Sequence, residues 1–267
     1  DGSLKTATVT AGGDNYVSAP TVNFSAPQDP QGSAPSVTAV LYSYGDVQAI
    51  TVDDGGAGYT AAPGLVVDAP GNFSFDTETE IVSNAIVLAN HPMRNGTRVI
   101  YNQNSGSQNI GLSDGTLYYV VNVVSDPLTG AGVSFQVSAT QGGGAISLTP
   151  STAGNGEAHL FDGVQATATA TVSGGAITNV TINEPGSLYD RGAGVAVQED
   201  GSQSPTTAAT LTLYVGSPVA SFIINSRGDG YNAAPTISFT NAAIDSYGSG
   251  AAATSTIGFP LAQIEDN

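Results

Sequence analysis

The sequence predicts an all-β fold of repeated three-strand antiparallel units, arranged as a sandwich, a barrel or a closed array, with a further all-β domain inserted into the series. Three observations carry this expectation. First, the pattern Gly-x-x-Tyr-x-x-x-Pro followed by an alternating apolar strand recurs four times: GDNYVSAPTVNF from Gly13, GAGYTAAPGLVV from Gly56, GSLYDRGAGVAV from Gly186 and GDGYNAAPTISF from Gly228. Such self-similarity marks stacked or circularly arranged units. Second, 34 glycines and 14 prolines in 267 residues, with one methionine and no tryptophan, suit short strands joined by tight turns, with almost no helix. Third, apolar residues around each motif alternate with period two.

Every unit follows one plan. Nine and seven residues before the motif tyrosine stand Ala7/Val9, Ile50/Val52, Val180/Ile182 and Phe222/Ile224, which marks a strand leading into the motif. Six and eight residues after it stand Val22/Phe24, Leu65/Val67, Val195/Val197 and Ile237/Phe239, the core-facing side of a second strand. A third strand-like run lies upstream, as APSVTAVL (34–41), VQATATATV (164–172), TAATLTLYV (207–215) and AAATSTIGF (251–259). The first three of these run through YSYG, SGG and GSP into the strand before the next motif, which predicts a hairpin each time. Tyr16 and Tyr59 lie 43 residues apart and Tyr189 and Tyr231 lie 42 apart, so the unit has about 42 residues.

The series opens on LKTATVT and closes on AAATSTIGF, out of phase with this unit. Either these two pair with each other and close the array, or both edges pair with neighbouring subunits; closure within the chain is expected, because free edges invite aggregation. Between Tyr59 and Tyr189 the gap is 130 residues. The expected organisation is therefore a repeat domain split into 1–70 and 164–267, interrupted by an inserted β domain at 71–163 that carries the strand-like runs IVSNAIVL, TRVIY, LYYVVNVV and VSFQVSA.

Gly13, Gly56, Gly186 and Gly228 fit a turn that needs positive φ. Pro20, Pro63 and Pro235 hold the preceding residue extended and suit a strand start. Tyr16, Tyr59, Tyr189 and Tyr231 are expected to lay their rings over the turn, with hydroxyls reaching backbone or water. The third copy departs from the pattern: Leu188 precedes the tyrosine and Ala193 replaces the proline, so that turn is expected to be looser or to lie at an interface.

Twenty-two acidic against five basic residues give a net charge of −17, a field that repels nucleic acid and anionic membrane surfaces. The absence of cysteine removes disulfide and thiolate chemistry. No apolar run approaches the roughly 20 residues of a membrane-spanning helix. His91 and His159 lack partners at metal-ligand spacing and read as satisfied turn or edge histidines. No serine sits in a nucleophile elbow. Asp53/Asp54 and Asp76/Glu78/Glu80 could hold Ca²⁺ or furnish paired carboxylates, but the second cluster lacks the central glycine and later glutamate of a calcium loop, and the chain has no tryptophan for a sugar platform. No catalytic residue, cofactor or metal is therefore expected.

The GGxGYxxxPTVxF unit, with the lead-in of alternating Ala and Thr before AITNVTI, resembles repeats of tailed-phage virion structural proteins, particularly of phages infecting marine and cyanobacterial hosts. The inserted stretch NAIVLANHPMRNGTRVIYN, with GLSDGTLYYVVNVV and GNGEAHLF, is similar to a phage-type β module that also occurs in large secreted bacterial surface proteins. This resemblance implies a non-enzymatic virion component of capsid, tail or fibre, exposed on the particle exterior. Its implied partners are other virion proteins and copies of itself, with a host-surface glycan as a further candidate. The repeat domain would attach, and the inserted domain, with Tyr101, Tyr118 and Tyr119, would face outward. The alternative is a bacterial cell-surface or extracellular-filament protein that binds glycans or neighbouring copies.

Overall fold

The computed structural model describes residues 2–126, 132–199 and 205–258, and the fold is all-β, with no helix among these residues. In chain order the strands are β1 (Ser3–Asp14), β2 (Thr21–Phe24), β3 (Ser36–Leu41), β4 (Tyr44–Asp54), β5 (Gly64–Val67), β6 (Asn72–Asp76), β7 (Ile81–Val82), β8 (Ala85–His91), β9 (Arg98–Asn102), β10 (Leu117–Ser125), β11 (Gly132–Ser138), β12 (Ala158–Asp162), β13 (Thr167–Ser173), β14 (Ala176–Glu184), β15 (Tyr189–Asp190), β16 (Val195–Gln198), β17 (Thr210–Gly216), β18 (Val219–Ser226), β19 (Ile237–Thr240) and β20 (Ser249–Gly258). The chain forms two compact units, one from residues 1–42 and 216–267 and the other from 43–215.

Each unit is assembled from two copies of one module, and the module runs in a different frame from the expected one. It begins with the strand that enters the motif, continues through the motif into a short strand, and ends on the Thr/Ala-rich strand. The first unit pairs the module at 2–42 (β1, β2, β3) with that at 216–258 (β18, β19, β20), through β1 with β20, β2 with β19 and β3 with β18, all antiparallel. The second unit repeats this with β4, β5 and β13 against β14, β16 and β17: β4 neighbours β17, β5 pairs with β16, and β13 pairs with β14. A pseudo-two-fold relation between modules follows in each unit. In this frame the series is in phase, and LKTATVT and AAATSTIGF meet because they are the first and last strands of paired modules. Their register runs from Ser3 opposite Gly258 to Asp14 opposite Ser249; Phe259, the last residue of that run, lies outside the described residues.

Two of the three expected hairpins do not form. At SGG the two-residue turn is made by Gly174 and Gly175, both at positive φ (62° and 81°), as a tight hairpin requires. At YSYG and GSP no residue has positive φ, and Pro218 fixes its own φ in the negative range. The chain does not fold back there. It passes from one unit to the other instead, so that β3 pairs with β18 rather than with β4.

The alternating positions named above face inward, but of these only Ile50 and Val67 are fully buried; Phe239, stacked on Phe222 with ring centroids 6.0 Å apart, is half-buried. Ladders of two to four strands are too narrow to cover both sides of their own side chains. The large core lies instead in the inserted segment, a seven-stranded sheet in the order β6-β12-β9-β10-β11-β8-β7 around Phe75, Phe135, Phe161, Tyr101, Met93 and Val120. Tyr101 and Tyr118 belong to this core and Tyr119 is half-buried.

The segment enters and leaves at one point: Asn72 pairs with Asp162, and the Gly163 N–H donates to the Gly71 carbonyl at 2.9 Å. It is held to the third motif by Leu188, which is buried in its core, and by Arg98, whose Nη2 donates to Glu184 Oε1 (2.6 Å) and to the Gly186 carbonyl (2.7 Å). Replacing Asn72 to Asp162 by a short Gly/Ser bridge should leave a cooperatively folding remainder, and more stably so when Leu188→Gly removes the apolar side chain thereby exposed. Loss of a cooperative thermal transition in both variants would refute this.

Candidate functional site

The four motif corners are the one arrangement repeated throughout the molecule. Their glycines Gly13, Gly56, Gly186 and Gly228 have φ between 58° and 68°. A Cβ on any of them would collide with a partner-module carbonyl oxygen, that of Ser249, Thr207, Val164 or Ser33 respectively. The residue directly before each tyrosine also has positive φ: Asn15, Gly58, Leu188 and Gly230. The sequence pattern hid this second requirement, since only two of the four are glycine.

Two left-handed residues in three turn each tyrosine into the seam between modules. Its backbone meets the partner at or just before the start of the strand entering the partner's motif: Tyr16 with Ser217, Tyr231 with Gly2, Tyr59 with Gly175 and Tyr189 with Gly45, the second residue of β4. All four rings are fully buried, between 0 and 3 % exposed. Three hydroxyls accept a backbone N–H from the start of the partner's last strand, Ala251 to Tyr16 (3.3 Å), Ala209 to Tyr59 (2.9 Å) and Ala166 to Tyr189 (2.7 Å). Pro35 occupies the corresponding place opposite Tyr231 and has no N–H, so that hydroxyl donates to the Ser25 carbonyl (2.9 Å). Burial raises the pKa of the Tyr189 and Tyr231 phenols. Pro20, Pro63 and Pro235 are buried, and Ala193 is half-buried.

The third corner keeps the backbone geometry of the others, with Gly186 at φ 68° and Leu188 at 58°. Its departure from the pattern serves the interface with the inserted segment: Leu188 fills that core, its carbonyl accepts the Gly71 N–H at 2.8 Å, and Ser187 Oγ donates to the Arg98 carbonyl at 2.6 Å.

The acidic clusters are occupied by backbone donors. Asp76 Oδ1 accepts from the N–H groups of Glu78 and Thr79 and from Thr79 Oγ1, and the Thr79 amide is the main reason its pKa is lowered. Glu80 accepts from the Asp76 N–H, and Glu78 from those of Gly154 and Gly156. Asp53 accepts from Thr212 Oγ1 and Asp54 from the Gly56 N–H. Among the described residues no group of three or more His, Cys, Asp or Glu is placed to hold a metal ion. A further carboxylate went unnoticed in the sequence: buried Asp245 accepts from the N–H groups of Val17, Ser18, Tyr247 and Gly248, tying the first motif to the turn before β20. Its signal is an Asp followed by a small-residue turn, a weak one.

Both histidines are core residues rather than edge residues. His159 is wholly buried, with Nδ1 2.6 Å from the Tyr101 hydroxyl and Nε2 3.3 Å from Glu157 Oε2. Burial pushes the Tyr101 phenol up to about 12, so it keeps its proton in this contact. Glu157 also accepts from the Gln108 and Ser107 amides, the Gln108 bond being the largest cause of its lowered pKa. His91 is less well provided. Its Nδ1 accepts the Met93 N–H at 3.1 Å, whereas Nε2 is buried without a hydrogen-bond partner, and desolvation lowers its pKa, partly offset by the backbone of Ser134.

An open groove of about 500 Å³ runs along β19 and β20, lined by Tyr16, Phe239, Asn241, Gly248 and Ala251. It marks a break in the pseudo-symmetry, since β2 and β3 pair at Thr21 and Thr38 while β19 and β20 share no ladder. No family model matches the chain, and no curated protein or solved structure matches it either.

Two measurements check these assignments. Tyr189→Phe leaves the buried Ala166 N–H without an acceptor and should cost about 2 kcal/mol in denaturant unfolding, whereas Tyr231→Phe releases only the exposed Ser25 carbonyl to water and should cost about 0.5 kcal/mol. The second concerns pH. The His91 pKa is lower in the folded state than the unfolded value near 6.5, so acid favours the unfolded chain, and stability present above that value is lost as pH falls through the folded pKa. His91→Gln should flatten the stability profile in this window and leave the steeper loss below about pH 4, where Asp76, Glu157 and Glu184 become protonated.

Proposed function

We propose that this chain is a non-enzymatic structural component of a tailed-phage particle, a capsid decoration, tail or fibre-like protein. It acts by self-association and by contacts to other virion proteins on the particle exterior. The observation that carries the reading is the use made of the repeated motif: the glycine and the tyrosine of all four copies sit where one module meets another, beside the main-chain ladders that pair the modules. Such pairing gives affinity through backbone hydrogen bonds and specificity through alternate side chains. The motif style, similar to that of phage structural proteins, gives the reading its context.

The side chains able to do chemistry support the same reading, because the carboxylates of the acidic clusters are engaged by backbone N–H groups and hydroxyls, and both histidines are buried. The charge of −17 disfavours packaged nucleic acid as a partner. The inserted sheet presents Val82, Val87, Val124 and Val133 to solvent, and this outer surface is the region suited to a further virion protein or a host-surface glycan. Mass spectrometry and electron microscopy of purified particles should find the chain in fixed copy number on the exterior. Recovery only from cell surfaces would favour a bacterial surface filament, and a soluble monomer turning over a polysaccharide would overturn the non-enzymatic reading.

A further inference from the structure

We propose that the module at residues 2–42 exchanges between chains, pairing with the 216–258 module of a second copy through the same three ladders that now close the first unit. The inference goes beyond the reading above. It needs only the pairing geometry, and it holds equally for a virion protein and for a surface filament.

Four observations converge on it. Every long ladder of the first unit joins residues 3–41 to residues 219–258, and among the described residues the only ladder pairing inside either module is the single pair Thr21 with Thr38. The two modules share one strand order, so each offers the surface that the other needs, whichever chain supplies it. Each joins the second unit through one short connection, at Tyr42–Ser43 and at Gly216–Pro218, so it can swing away from its partner and re-pair as one piece. The modules of the second unit are instead tied together by the Gly174–Gly175 turn, which holds their pairing within one chain.

The fourth observation is energetic. Apart from prolines, the first unit fully buries five apolar residues, Leu4, Tyr16, Ala39, Val219 and Tyr231, against fifteen in the core formed by the inserted sheet with Leu188. Opening the first unit thus exposes little apolar surface, and such regions are the ones that open locally while the rest stays folded. The contacts re-formed between chains are those broken within one, so concentration decides between the two states through the effective concentration of the tethered partner. The 2–42 surface and the 216–258 surface lie on different modules, which makes the contact head-to-tail, and a head-to-tail contact that does not close on itself gives open chains.

The chain has no cysteine, so single introduced thiols can be labelled cleanly. Thr8 and Thr254 lie opposite each other in β1 and β20 and are exposed. Donor-labelled Thr8→Cys chains mixed with acceptor-labelled Thr254→Cys chains should show energy transfer that rises with protein concentration, together with masses at whole multiples of the monomer by light scattering. A second pair, Thr38→Cys with Ile223→Cys across β3 and β18, should behave alike and guards against local disruption by one label. Val66→Cys with Ala196→Cys, across β5 and β16 of the second unit, should show weaker transfer, because those strands stay paired within one chain. Absence of transfer in both first-unit pairs at every concentration would overturn exchange, and so would equal transfer in the second-unit pair, which would signify aggregation.

Discussion

The close approach of two backbones at each motif corner is the constraint on which the rest of the fold depends. Two left-handed residues, three positions and one position before the tyrosine, bring the motif backbone so near the partner module's last strand that no side chain fits at Gly13, Gly56, Gly186 or Gly228. This contact seats the tyrosine in the seam, where it binds the partner by backbone and, in three copies of four, through its hydroxyl to an incoming N–H. Pairing of the ladders follows from it. In a narrow two- to four-stranded arrangement, burial of alternating valines and phenylalanines is partial, so the seam supplies definition that the apolar core does not.

The same corner receives a whole domain in its third copy. Leu188 is a costly residue at positive φ, since its Cβ crowds the backbone there, yet it gains burial in the core of the inserted sheet. Arg98 and Ser187 complete the attachment around it. A corner that elsewhere joins module to module is thus extended into a joint with the inserted segment without altering its backbone.

Much of this architecture was legible in the residues. Strand positions, the meeting of LKTATVT with the strand from Ala251, and the structural use of glycine and tyrosine all follow from alternation and repetition, because those patterns report local backbone geometry. Strand partners were less legible. The hairpin grammar at YSYG and GSP was misleading, although Pro218 and the lack of a Gly-Gly or Asn-Gly pair were available warnings; only SGG has residues that tolerate the tight turn. Leu188 could not be recognised as left-handed, since the core that receives it is far away in sequence, and Asp245 showed only its local turn to Tyr247 and Gly248, its other two donors, Val17 and Ser18, being more than 220 residues away. The histidines were misjudged for the same reason: isolated in sequence, they sit in a dense core that only the seven-stranded sheet creates.

The register of the closing ladder also fixes how the molecule responds to tension. Ser3 faces Gly258 and Asp14 faces Ser249, so a pull applied at the outer ends of β1 and β20 acts across the ladder rather than along it. Backbone hydrogen bonds loaded in this way break in succession, like a zip, instead of resisting together as they do when antiparallel strands are sheared. A molecule held through these ends would therefore yield first in the 2–42 and 216–258 modules, lengthening by releasing loosely packed chain, while the inserted sheet, entered and left at the neighbouring Gly71 and Gly163, stays outside the line of force.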